Sequence, residues 1–243
     1  MTPPREGNAH RNPAHAVFHA LTHTLLDAPT VACVVRAVVD AACDVVPGAD
    51  LAGATVRGSD GAFLGAAATD EAGAELDRVQ YGACDGPLLE ADGGPPVLAG
   101  DLRTETRWSE FTSAAARHGV RAVLATGFLR ADPAEPGGAL VLYSRTAGGL
   151  TEDDRDAALL LVTHGSLALA RCRAAEQADL LRINMKRAIE SRDLIGQAKG
   201  ILMKREGISA AAAFELLRRT SQDRNVKVAD LARTIIARHD DLG

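Results

Sequence analysis

The sequence predicts an α+β protein in which a region that contains strands is followed by an all-helical region. Between residues 51 and 146, short apolar segments alternate with helical patterns and are separated by glycine and proline. From residue 151 to the end there is no proline, and the apolar residues keep a helical period. We therefore expect an antiparallel sheet with flanking helices, then a long helix and a small three-helix bundle.

The N-terminal region is expected to begin with a disordered tail at residues 1–13, because this stretch is polar and rich in proline. Apolar residues at helical spacing then run from residue 13 to 46, with a break expected near residues 27–30. Further helical patterns lie near 71–79 and 104–118. Strands are expected at residues 51–57, 61–69, 96–99, 120–129 and 138–146.

The long helix is expected to begin at Thr151, which is followed by three acidic residues, as is typical of a helix N-terminus. Apolar residues recur every seven positions after it, which favours a coiled-coil-like seam, and Asn184 on that seam is suited to fixing the register of a helix pair. The helix should reach about residue 205. The seam consists of Leu160, Leu167, Ala174, Leu181, Ala188, Ile195 and Leu202.

Two shorter helices are predicted to complete the chain. Ser209 is placed to cap the first, with Phe214 and Leu217 pointing inward. Asn225 is placed to cap the second, with apolar side chains from Val228 onward packed inside. Together with the end of the long helix they make a bundle over about 190–240.

Composition restricts the class of protein. The chain has 243 residues, 47% of them hydrophobic and 24% charged, which is ordinary for a globular protein. We find no apolar run of about 18 residues and no secretory signal, so neither a membrane span nor export is expected. The cysteines are scattered without CxxC spacing, which favours a reducing cytoplasm and gives no zinc signature. They are Cys33, Cys43, Cys84 and Cys172.

Catalytic signatures are absent from the sequence: we find no GxSxG, HExxH or phosphate-binding glycine loop. We therefore expect no enzyme and no cofactor. Cys84 is interpreted as a buried structural cysteine rather than a nucleophile. His15, His19 and His23 line one helix face, a spacing that suits either a divalent metal or, as we favour, an ordinary polar face.

The charge is divided unevenly along the chain. The net charge is −5, but residues 180–243 carry 13 Lys and Arg against 8 Asp and Glu, whereas residues 1–179 carry a net −10. A basic C-terminal region on an acidic body indicates either a polyanion-binding module or simply a solvated helix face.

Residues 191–207 read "SRDLIGQAKGILMKREG" and form two helical faces. One is an apolar stripe from Leu194 to Leu202. The other carries Gly196 and Gly200 among basic side chains, although each glycine costs roughly 1 kcal/mol of helix stability. Because glycine lacks a Cβ atom, another molecule or segment can approach the backbone of this face closely. The approaching group is either a nucleic acid or a second helix.

Residues 188–236 resemble an ANTAR domain, through the motifs "SR", "IGQAKGILM", "G-I-S", "AF-LLRR-S", "N-K" and "D-A" in that order. The resemblance implies an RNA-binding transcription antiterminator that recognises paired stem-loops with six-base loops, in preference to an overlapping terminator hairpin. By motif position and polar-face geometry, the residues expected to bind RNA are Arg192, Gln197, Lys199, Gly200, Lys204, Arg205, Arg218, Ser221, Asn225 and Lys227.

Residues 14–170 resemble a GAF domain, through "GPLLEA", "DLRTETRWSEFTSAAARHGVRAVLA" and "GALVLYSRTAGGLTEDD". The expected organisation is therefore a GAF domain at 14–150, a linker helix at 151–187 and an ANTAR domain at 188–243. The expected partners are RNA, a small-molecule ligand of the GAF domain, and a second copy in a homodimer. The alternative function is a dimerisation module with a ligand-sensing GAF domain and no direct RNA role.

Overall fold

A computed structural model describes residues 13–58, 60–130 and 137–240, and the chain divides into two compact units at Ala174 and Ala175. The predicted disordered tail lies outside the described residues, except for Pro13. Within the described ranges, no helix has both the length and the apolar character needed to cross a membrane.

The N-terminal unit confirms the predicted mixture of helices and strands. The expected break between the first two helices is present, and the Thr30 side chain there accepts a hydrogen bond from the Cys33 N–H at 3.3 Å. The elements are α1 (Pro13–Asp27), α2 (Val31–Val45), β1 (Leu51–Arg57), β2 (Phe63–Ala68), α3 (Glu71–Ala83), α4 (Pro87–Ala91), β3 (Val97–Ala99), α5 (Ser109–Arg117), β4 (Ala122–Gly127) and β5 (Gly138–Ser144).

The strands form one five-stranded sheet in the order β2-β1-β5-β4-β3, and every pair is antiparallel. Each face is covered, so the unit has two apolar cores. Val34 and Leu142 belong to the core shared with α1, α2 and the start of the long helix. Trp108, Phe111 and Tyr143 belong to the core beneath α3, α4 and α5.

The connection between α3 and α4 differs from the prediction. Cys84 is exposed, with a left-handed backbone φ of 53°, so the expectation of a buried structural cysteine is wrong. Cys84 ends α3, and Gly86 at φ 144° precedes Pro87, the first residue of α4. The short helix α4 was not predicted, because five residues are too few to show a helical period.

The long helix is confirmed as α6 (Glu152–Glu206). Its start is capped: the Asp154 N–H donates to the Thr151 hydroxyl at 3.3 Å, and the Asp154 carboxylate accepts from the Thr151 N–H at 2.9 Å. Its end is fixed by Gly207, whose φ of 64° is left-handed and whose N–H bonds to the Met203 carbonyl.

The C-terminal unit contains the end of α6, then α7 (Ala210–Asp223) and α8 (Val228–Asp240). Ala198, Leu217 and Ala232, one from each helix, form its buried apolar cluster. The predicted Ser209 cap is confirmed by its bond from the Ala212 N–H at 3.2 Å. Phe214 was predicted inside, but it is 45% exposed, because the small residue Ala213 takes the buried position beside it.

The turn between α7 and α8 also differs from the prediction. Asn225 does not cap α8, which begins three residues later, at Val228. Instead Asn225 has a left-handed φ of 49° in the turn, a conformation that asparagine adopts more readily than most residues.

Candidate nucleic-acid interface

The glycine face of α6 opens on solvent. A Cβ atom built on Gly196 or Gly200 would meet no atom within 4 Å, whereas Ala198 between them is fully buried. The apolar stripe of this helix segment packs against the core of α7 and α8. The glycines therefore do not serve helix packing inside the bundle, and they leave bare backbone on its surface.

Basic side chains border this bare backbone. Arg192, Gly196, Gly200 and Lys204 follow one another at intervals of four, so they form one row along the helix. Gln197 is exposed and Lys199 is half-buried beside the row. Within the described part of the chain, Arg192, Lys199 and Lys204 form no ion pair. Their charges are thus available to an incoming anion.

Two other predicted residues already have acidic partners. Arg218 donates to Glu215 through two nitrogens, at 2.7 and 3.0 Å, and Arg205 lies 3.4 Å from Glu206. The hydrogen bonds between Arg218 and Glu215 raise the pKa of the arginine and lower the pKa of the carboxyl. Both pairs are exposed to solvent, where ion pairs are weak, so either arginine can exchange its partner for a phosphate.

The remaining predicted residues lie at the turn between α7 and α8. Lys227 and Asn225 are exposed, but Ser221 is buried and its hydroxyl donates to the Val226 carbonyl. Ser221 therefore stabilises the turn that carries the other two side chains. Sequence reasoning did not distinguish these roles, because a serine near a helix end is compatible with both.

Phe214 on α7 is an exposed aromatic residue that sequence reasoning placed in the core. An exposed phenyl ring in a basic bundle offers a base a stacking surface, which is a common feature of single-stranded RNA recognition. Its four-residue distance from Arg218 on α7 places both on one face of the helix. Apolar periodicity assigned Phe214 to the core, so no sequence signal pointed to its exposure.

The N-terminal histidines were considered as a metal site. The rings of His19 and His23 lie 4.7 Å apart, but the side chain of His15 is outside the described residues. Across the described residues, no group of three or more His, Cys, Asp or Glu side chains is arranged to hold a metal ion. The metal hypothesis stays a prediction.

Comparisons with known proteins assign the C-terminal unit to a family. The ANTAR domain model matches residues 184–236, which contain every predicted RNA-binding residue. A search of curated proteins returned no match.

Solved structures resemble the chain mainly through its fold. The N-acylhomoserine lactone-dependent LuxR-family factor CepR2 from Burkholderia cenocepacia is 20% identical, with a TM-score of 0.51, over 66% of this chain and 98% of that one. The bacteriophytochrome RpBphP3 from R. palustris is 11% identical, with a TM-score of 0.50, over 81% of this chain and 44% of that one. A GAF domain of a phosphoenolpyruvate-protein phosphotransferase from Coxiella burnetii is 14% identical, with a TM-score of 0.45, over 68% and 97%.

Proposed function

Since the chain carries an ANTAR domain behind a GAF-like fold, we propose that it is an RNA-binding regulator of transcription antitermination. The observation that carries the proposal is the solvent-open backbone at Gly196 and Gly200. It is bordered by Arg192, Lys199 and Lys204, which form no ion pair with any residue that the structure describes. The C-terminal domain recognises paired hairpins with six-base loops, and the GAF-like unit controls it or dimerises it. The proposal includes a cytoplasmic location and the domain limits 14–150, 151–187 and 188–243.

The interface works by combining charge with close approach. Arg192, Lys199 and Lys204 contact phosphates, which fixes the position of the RNA without reading its sequence. Gly200 lets a loop lie against the helix backbone, and Gln197 donates to or accepts from a base edge there. Arg205 and Arg218 join after leaving their acidic partners, and Lys227 and Asn225 contact the RNA from the turn.

Antitermination follows from differential affinity. A protein that binds paired hairpins but not the overlapping terminator hairpin shifts the RNA toward the bound fold by the ratio of the two affinities. To shift the ratio of paired-hairpin RNA to terminator RNA from 1:99 to 99:1, the protein must bind the paired hairpins about 5.5 kcal/mol more tightly. An RNA with two linked hairpins attains this difference in binding free energy more readily than a single hairpin, because binding of the second hairpin is intramolecular.

The test is a binding titration of the full chain with a two-hairpin RNA, a single hairpin and a duplex DNA over a salt series. We expect the two-hairpin RNA to bind most tightly. Lys199→Ala should weaken its binding and lower the salt slope by about 0.7–0.9, as loss of one phosphate contact predicts. Arg182→Ala is the matched control, since Arg182 is an exposed arginine of the same helix outside the ANTAR match.

The proposal fails if the three nucleic acids bind alike and all binding collapses with salt. It also fails at the level of the site if folded Lys199→Ala binds as the parent does. Circular dichroism of the variant establishes that the helices are intact, so the two outcomes are separable.

The second candidate function, a dimerisation module, is favoured by a different part of α6. Leu181, Met185 and Ile189 recur at intervals of four and are 63%, 58% and 60% exposed. Such a ridge suits a second copy of the helix. Met185→Lys should convert a dimer to a monomer in sedimentation experiments. If the parent binds no hairpin RNA but does dimerise, the alternative replaces the first proposal.

A further inference from the structure

The N-terminal unit contains a cleft of about 400 Å³ between α3 and the strands β1 and β2. Most of the side chains that line it are apolar, and several of them are alanines. Its volume is large enough for a ligand of several heavy atoms. The Phe63 and Tyr81 rings meet edge to face at one side, with centroids 5.2 Å apart. Ala66 is exposed in the cleft wall, and Asp77 supplies a carboxylate.

A chain of hydrogen bonds ends at that carboxylate. The Leu88 N–H donates to Gln80 Oε1 at 2.7 Å, and Gln80 Nε2 donates to the Tyr143 hydroxyl at 3.2 Å. The Tyr143 hydroxyl then donates to Asp77 Oδ1 at 2.7 Å. Each hydrogen bond of this chain is donated in the direction of Asp77, so the Asp77 carboxylate is the last acceptor. Once Asp77 is ionised, a group that meets its other oxygen must be a donor.

The second carboxylate oxygen, Asp77 Oδ2, lies against the bare backbone of β1. A Cβ atom built on Gly53 would come within 2.5 Å of it, so the glycine makes room for the carboxylate. Among the described residues, Oδ2 has no hydrogen-bond donor. Asp77 is only 7% exposed, and a buried carboxylate with one free oxygen is costly to the fold. A ligand that supplies the missing donor offsets that cost.

The charged groups at the rim do not close the site to cations. Arg36 at the rim donates to the Ala68 carbonyl at 3.0 Å and lies 3.7 Å from the Asp40 carboxylate. Arg78 is exposed, and the carboxylate of Asp70 stands on the same rim. These groups are solvated and screened, whereas Asp77 acts from inside, where electrostatic interactions are stronger.

We propose that this cleft binds a small organic cation, a primary ammonium or amidinium on an apolar body. Its N–H groups bond to Asp77 Oδ2, and its apolar part packs on Ala66 and on the Phe63–Tyr81 pair. The inference deepens the proposed function by naming the class of ligand that the GAF-like unit senses. It rests on that proposal only for its regulatory meaning, because the binding itself needs no RNA.

The test is calorimetric titration of the full chain at pH 8 with benzylamine, phenethylamine and benzamidine, and with benzyl alcohol as the uncharged counterpart of benzylamine. We expect the cations to bind at millimolar concentration, as fragments of this size do. Benzyl alcohol should bind at least ~10-fold more weakly, as expected when a charge-assisted hydrogen bond is lost.

Variants locate the binding. Asp77→Asn keeps an acceptor for Tyr143 but removes the charge, so it should weaken cation binding at least ~10-fold. Ala66→Leu fills the cleft without touching Asp77 and should abolish binding. Asp44→Asn removes an exposed carboxylate outside the cleft and should change nothing.

Three results would overturn the inference: no binding by any of the three cations, equal binding of benzyl alcohol, or binding unchanged in both cleft variants. Hairpin titrations of the same preparations are read separately. Failure of the cation site therefore leaves the RNA proposal standing, and failure of RNA binding leaves the cation result intact.

Discussion

Replacing Asp77 with asparagine should change the pH dependence of unfolding of the N-terminal unit. Burial raises the pKa of Asp77 from 3.8 to about 7, while the hydrogen bond from Tyr143 opposes this rise. The titratable groups that interact with it are Tyr143 on β5 and Tyr81 on its own helix. Burial raises the pKa of both hydroxyls, so neither changes charge between pH 5 and pH 8.

The sign follows from proton uptake. Between pH 4 and pH 7 the folded carboxyl binds a proton that the unfolded chain releases, so stability falls as pH rises through this window. At 1.36 kcal/mol per pKa unit, the gap corresponds to about 4 kcal/mol in total. About 3 kcal/mol of this falls between pH 5 and pH 8. Asparagine does not titrate, so the variant lacks this loss.

The assay is urea unfolding of both proteins from pH 5 to pH 8, followed by tryptophan fluorescence. Trp108 is the one tryptophan of the chain, and it lies in the same core as Tyr143, so the signal reports this unit alone. The stability of Asp77→Asn relative to the parent should rise by about 3 kcal/mol across the range. A difference that stays constant with pH would refute the reasoning, because all other titrating groups cancel in the subtraction.

Three further predictions concern the C-terminal unit. Gly200→Ala should stabilise the bundle by up to ~1 kcal/mol in thermal unfolding, because the added Cβ would meet no atom of the protein. The same Cβ should weaken hairpin binding by blocking close approach of the RNA. Lower stability or unchanged binding would contradict this prediction. Ser221→Ala should cost ~1 kcal/mol of bundle stability, measured by denaturant unfolding, because the Val226 carbonyl loses its donor. Asn225→Gly should be nearly neutral and Asn225→Val should cost ~1–2 kcal/mol in the same assay, and equal costs would argue against a left-handed requirement.

Most of the architecture could be predicted because it depends on local periodicity. The helix break before Thr30, the strands and the 55-residue helix α6 all follow from short-range patterns of apolar residues, glycine and proline. Phe214 shows the limit of such patterns. Its spacing from Leu217 predicts that it faces the core. The buried stripe of α7 instead consists of Ala213, Leu217 and Ser221, and Phe214 lies beside this stripe.

The candidate RNA interface could be predicted from the sequence, whereas the cleft at Asp77 could not. The row from Arg192 to Lys204 lies on one helix, so a helical period is enough to assemble it. The cleft at Asp77 depends on Gly53 and on Tyr143, which is 66 residues away along the chain. Only the folding of the sheet brings these groups together, and no motif of this chain signals it.

The middle of α6 has a consequence for amide hydrogen exchange. Every side chain from residue 175 to 190 is exposed, so the backbone hydrogen bonds there are protected by helix propensity alone. These amides should exchange by local opening, well before those of the flanking cores. A partner that covers them slows their exchange directly. Slowing confined to 175–190 is therefore the mark of self-association, whereas slowing confined to 192–204 is the mark of bound RNA.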